Sequence, residues 1–281
     1  MEKLRLCCAD FTFPLLEHQK VFDLISLLGF EGIDIGLFSG RSHITAETEF
    51  DNIGKKAKAL KQQTGDKGLS IADIYLQLDT NLAKFAINHP DDPKRTYARQ
   101  SFLKCIEYTK EAGAKHLTTL PGMLFTDETV ERSVQRSYEE LNWRVEQTKA
   151  AGLHFSIEVH TGSPFINPVD SLKLVEAVPG LELTLDYTHY IRNGYAQQQV
   201  DPLLPYAGHF HARGATPNKL QSSVTENVID YADIVHKMKA DGYEGWIGLE
   251  YIWIDWEGCN EVDTISETIR LKKIIEAAYQ Q

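Results

Sequence analysis

Residues 208–215 read Gly-His-Phe-His-Ala-Arg-Gly-Ala, an alternating run that opens on Gly208 and closes on Gly214. In an extended strand residues two apart share a face, so His209, His211 and Arg213 project together. Three further stretches are apolar runs that end on one acid: residues 155–158 on Glu158, residues 182–186 on Asp186 and residues 246–250 on Glu250. Two glutamates, one aspartate and one histidine at strand ends are the donors of a divalent-metal site. Three carboxylates with one imidazole form a mainly hard set, matched to Mn²⁺, Mg²⁺ or Co²⁺ better than to a structural zinc. An octahedral ion so held keeps positions free for substrate oxygens. The same run also permits His209 and His211 to hold zinc as a His-x-His pair.

Those ends act together only if the elements before them converge. Glycine recurs between a helix-like segment and a short apolar run at Gly29, Gly68, Gly113, Gly152, Gly180, Gly208 and Gly242. Glycine just past a helix takes the left-handed conformation that ends it, so each mark reads as a helix stop followed by a strand. With a first strand at 4–9, this predicts strands at 32–36, 70–76, 116–119, 154–158, 182–186, 209–211 and 246–250. Apolar spacings of three and four predict helices at 15–28, 46–63, 93–112, 127–150, 169–177, 226–240 and 262–278, with 194–205 ambiguous. Strict alternation implies a parallel sheet, and eight units favour a single-domain (β/α)8 TIM barrel over residues 1–281. An open doubly wound sheet would more often carry Gly-x-Gly-x-x-Gly after its first strand, and residues 9–14 hold no such turn. In a barrel, Glu158, Asp186, His211 and Glu250 would end four consecutive strands, at the face where active sites form.

The bulk properties narrow the partners. With 42% hydrophobic and 25% charged residues, the 281-residue chain has ordinary material for a core. A net charge of -11 and no basic cluster exclude nucleic acid as the expected partner. Cys7, Cys8, Cys105 and Cys259 show no Cys-x-x-Cys spacing, which suits reduced thiols in the cytoplasm. The apolar run before Asp10 is too short for an export signal, and no stretch approaches a membrane span, so a cytoplasmic protein without membrane contact is expected.

The order Glu158, Asp186-Tyr187-Thr188-His189, His209-Phe210-His211 and Gly248-Leu249-Glu250 resembles the xylose-isomerase-like TIM barrels, over almost the whole chain. It is most similar to the sugar isomerase and epimerase branch, with ketose 3-epimerases, hydroxypyruvate isomerase and inosose dehydratase. The resemblance implies a metal held by Glu158, Asp186, His211 and Glu250, with both glutamates moving the proton. It implies that His189 contacts a substrate oxygen, and it likens Arg213 to a basic residue of the dehydratase-like members. Two positions depart from the ketose 3-epimerase pattern: Pro164 stands where that group has Glu, and Pro217 where it has Arg.

The expectation is therefore a metal-dependent isomerase or epimerase of a sugar or keto-sugar, most readily with Mn²⁺. It abstracts a proton next to a carbonyl and passes through a metal-stabilised enediolate. A lyase or dehydratase using the same enolate is the alternative. A DNA-repair endonuclease of the same superfamily fits less well, because the resemblance would then require further histidines on the second and third strands. A sugar-binding protein without turnover is the third class. His160 belongs either to the same cavity or to a loop, and His116 ends no acid run. Tyr251, Trp253, Trp256, Phe11 and Phe13 are loop aromatics suited to stacking on a sugar or to a homo-oligomer contact.

Overall fold

A computed structural model describes residues 3–281. Eight parallel strands close into a barrel: β1 (Leu6–Ala9), β2 (Gly32–Phe38), β3 (Ser70–Gln77), β4 (His116–Thr119), β5 (His154–Ile157), β6 (Glu182–Asp186), β7 (Ala207–Ala212) and, after a hairpin, β10 (Ile247–Leu249). Around the ring they run β1, β10, β7, β6, β5, β4, β3, β2, so the last strand closes on the first. The larger helices are α1 (His18–Leu27), α3 (Ile53–Gly65), α4 (Asp92–Ala112), α5 (Val130–Ala151), α6 (Pro168–Ala177), α9 (Tyr231–Ala240) and α10 (Thr264–Gln280).

The strands carry two faces with a period of two. Ile33, Ile35 and Leu37 of β2, Phe155 and Ile157 of β5, Leu183 and Leu185 of β6, and Phe210 and Ala212 of β7 join the large apolar cluster. The alternate residues carry polar groups that meet across the barrel interior. His116 Nδ1 lies 2.6 Å from Asp73 and its Nε2 lies 2.7 Å from Ser156 Oγ. Thr118 and Thr184 share a hydroxyl hydrogen bond of 2.6 Å. His209 Nε2 lies 3.1 Å from Asp34, to which the Cys7 thiol donates at 3.3 Å. The barrel is thus filled by hydrogen-bonded polar side chains in place of the usual branched aliphatics.

Glycine at six of the seven marks takes positive φ, including Gly113 and Gly152 at the ends of α4 and α5. Gly208 does not: it lies inside β7, where a Cβ would meet Glu182 Oε2 at 2.2 Å. The segment before it is a 3-10 turn, Asp201–Tyr206, after the short helix α8 (Gln197–Val200), so that mark is close approach and no helix stop. The helix expected over 46–63 is divided into α2 (Ala46–Glu49) and α3, because Asn52 caps the second by accepting from Lys55 N. Two further elements differ from the sequence reading. Residues after β6 continue at once as α7 (Tyr187–Arg192), and an antiparallel hairpin, β8 (Gly214–Thr216) with β9 (Lys219–Ser222), follows β7. All four cysteines are buried free thiols, and no helix among the described residues is long and apolar enough to cross a membrane.

Candidate active site and metal centre

The ladder of the barrel extends one residue past β5 and β10. Glu158 N donates to Thr119 O and Glu250 N to Ala212 O, both at 3.0 Å, which fixes both glutamates at the C-terminal rim. Asp186 and His211 are register partners on β6 and β7. His211 Nδ1 stands 2.5 Å from Glu158 Oε1 and 3.3 Å from Glu250 Oε2. These three side chains form a compact donor set at the rim, each offering an atom within 4.8 Å of the other two.

Asp186 stands outside that triangle. It caps α7 by accepting from Thr188 N at 2.8 Å and Thr188 Oγ1 at 2.6 Å, and its other oxygen accepts from Arg213 Nη2 at 2.8 Å. His189, one turn along α7, places Nε2 at 3.6 Å from the same Asp186 oxygen and 3.3 Å from Arg213. The Asp-x-x-His spacing therefore works as an N-cap and the next turn of the helix it starts. Arg213, 2% exposed, also approaches Glu250 Oε2 at 3.7 Å.

His209 does not pair with His211 as a two-histidine site. The rings are perpendicular with centroids 5.1 Å apart, and His209 turns down to Asp34 and Cys7. His160 does face the site: its Nε2 bonds Glu158 Oε2, and its ring stacks on His189 at 4.1 Å. His116 stays in the barrel interior. Tyr251 is buried, and its hydroxyl accepts from Gly214 N at 2.8 Å, which ties it to the start of β8. Phe11 and Trp256 line the cleft above Glu250, whereas Phe13 packs in the main core.

The sequence reading passed over Tyr75, Asp34, Arg41 and Gln77. Tyr75 donates to Glu158 Oε2 at 2.7 Å and lies 3.2 Å from His160. Asp34 Oδ2 lies 3.7 Å from His211 Nε2, on the side of the ring away from the glutamates. A polar residue between apolar ones, as in Ile33-Asp34-Ile35 and Ile74-Tyr75-Leu76, was the signal that these side chains turn inward.

Electrostatics bear on whether a cation fits. Burial raises the Glu158 carboxyl, but the charges of His160 and His211 outweigh it and hold it well below the carboxylate range. For His211 burial favours the neutral ring, yet Glu250 and Glu158 push it well above its ordinary value. The two carboxylates thus require positive charge between them, where a divalent ion would replace the His211 proton. Glu250 Oε2 is also a buried oxygen without a hydrogen-bond donor. Both observations match a hard divalent cation. Burial, with Arg213 opposing it, raises Asp186, and burial followed by the nearby His160 keeps His189 neutral. Burial and then Glu158 keep Tyr75 a neutral phenol.

The model of the family described as xylose isomerase-like TIM barrel matches residues 22–274, most of the chain. The chain belongs to that family. Solved xylose-isomerase-like folds agree with it at low identity. L-ribulose 3-epimerase superposes with a TM-score of 0.76 at 17% identity, over 99% of this chain and 95% of that one. The probable 3-DHS dehydratase AsbF of Bacillus anthracis gives 0.71 at 16%, over 96% and 99%. The IolI protein with a bound zinc atom gives 0.74 at 15%, over 98% of each chain. By sequence, no curated protein matches the chain.

Proposed function

We propose that this xylose-isomerase-like barrel is a divalent-metal-dependent isomerase or epimerase of a sugar or keto-sugar, with Mn²⁺ ahead of Mg²⁺ and Co²⁺. The observation that carries the reading is the meeting of two buried carboxylates, Glu158 and Glu250, on one nitrogen of His211 at the rim. A divalent ion held by Glu158, His211 and Glu250, with Asp186 as fourth donor, would act as a Lewis acid on a substrate carbonyl. Glu158 takes a proton from the carbon beside that carbonyl, and Glu250 returns one to the other face. His160, bonded to Glu158 and lining the cleft, relays the proton toward solvent. Arg213 supplies fixed positive charge against the developing enediolate, and neutral His189 hydrogen-bonds a substrate hydroxyl.

A lyase acting on the same enolate remains the second reading, and one observation favours it. Pro217 occupies the turn between β8 and β9 and lines a different cavity, beside Ile191 and Tyr195. The ketose-tail contact that the resemblance would place there has no counterpart in this cleft.

Turnover of a keto-sugar panel in D₂O with Mn²⁺ tests the proposal. The product should carry deuterium beside the carbonyl, and E158Q or E250Q should each lower turnover about 10²–10⁴-fold. Product free of deuterium would reject the enediolate route. Release of water with an unsaturated ketone would select the lyase.

A further inference from the structure

The cleft above Glu250 has a second cationic group opposite the reacting side chains. Arg41 follows β2, and its guanidinium donates to Gln77 Oε1 at the end of β3. In the closed ring, β2 and β3 lie across the barrel mouth from β6 and β7, which carry Asp186, His211 and, just past β7, Arg213.

Arg41 has no carboxylate in contact with it, and Glu250 acts on its charge only from beyond ion-pair distance. Among the described residues it forms no ion pair, its Nε is buried without an acceptor, and its guanidinium rests 5.7 Å over the Phe38 ring. Arg213 differs: Asp186 and Glu250 balance it, although its Nη1 also lacks an acceptor. Arg41 is half-buried, and a guanidinium partly withdrawn from water keeps its proton and is stabilised by an anion placed against it. Its planar set of N–H donors matches two carboxylate oxygens, and Gln77, which accepts from Arg41, holds the guanidinium at the cleft wall. The cleft lining holds no lysine and no glycine-rich turn of the kind that cradles a phosphate.

We infer that Arg41 and Gln77 form a carboxylate subsite across the cleft from Glu158 and Glu250, so that the substrate is a keto-sugar acid whose carboxylate lies at the end remote from its ketone. This rests on the proton-transfer reading above, which places the ketone at the glutamates. The apolar faces of Phe11, Phe38 and Trp256 wall the space between the two ends.

Calorimetric binding to the Mn²⁺-loaded protein tests it with 5-keto-D-gluconate and L-sorbose, which differ at the remote end by carboxylate against hydroxymethyl. The acid should bind about tenfold or more tightly than the neutral ketose. R41M and R41Q, each checked for unchanged melting and metal content, should bring the two affinities together. Equal affinities in the parent protein, no binding of the acid, or a preference that survives both substitutions would overturn the inference. Preferential, Arg41-dependent binding of L-sorbose 6-phosphate over the acid would overturn it in favour of a phosphate subsite. If the proton-transfer reading is wrong, deuterium exchange fails with metal bound, and the binding ratio is measured independently of that result.

Discussion

His211 is where the chemistry of individual residues meets. Its Nδ1 faces Glu158 and Glu250, and its Nε2 faces Asp34 from 3.7 Å. A carboxylate that hydrogen-bonds a ligating imidazole orients the ring, and the buried His211 Nε2, without an acceptor within hydrogen-bond distance, has Asp34 as its nearby carboxylate. D34N should therefore weaken Mn²⁺ binding about 10–100-fold while the protein stays folded, as titration beside a melting curve would show. A rival donor set exists one step away, since Glu158, His160 and His189 also lie within 4.8 Å of one another. H189A separates the two: metal content should persist and turnover fall, whereas metal loss would move the ion to the histidine pair. The residue types at the strand ends were legible because each acid terminates an apolar run. Engagement of Asp186 by Arg213 was not, because it depends on a side-chain approach between neighbouring strands that spacing does not encode.

Elements were legible wherever a period was long and clean. The eight strands fall close to their expected positions, and the inward polar residues of β2 and β3 explain why a run that looks interrupted is still a strand. The short helix α7 was hidden because it begins on the final residue of a strand, so Asp186 reads equally as strand end and helix cap. Gly208 misled for a related reason: glycine marks a tight approach as well as a helix end. The closing helix α10 gives a direct test of capping. Asp263 accepts from Ile265 N and Ser266 N, both at 3.1 Å, and the Ser266 side-chain hydrogen bond first, then its backbone N–H, lowers the Asp263 carboxyl. Because the folded value lies below the unfolded one, this stabilisation is complete above the ordinary carboxyl value of about 3.9 and fades as pH falls through the folded value. D263A should cost about 1 kcal/mol in denaturant melts near pH 7, and the difference from the parent should shrink in strong acid. An equal difference at both pH values would show that the cap is not the cause.

Across the whole molecule, closure of the barrel converts four separated segments into one site. Glu158, Asp186, His211 and Glu250 span residues 158–250 in sequence, yet their strands are consecutive in the ring. The polar interior continues from His211 through Asp34 to His209 and Cys7, so the rim residues rest on hydrogen-bonded groups and not on deformable aliphatics. On the proposed reading this rim is a divalent-metal centre built from three acids and one imidazole. Anomalous diffraction from crystals grown with Mn²⁺ tests it most directly. One peak per chain should lie among Glu158, His211 and Glu250, with Asp186 turned from Arg213 to join them. A peak at Cys7, Asp34 and His209, or no peak at the rim at saturating Mn²⁺, would show that the rim is no metal centre.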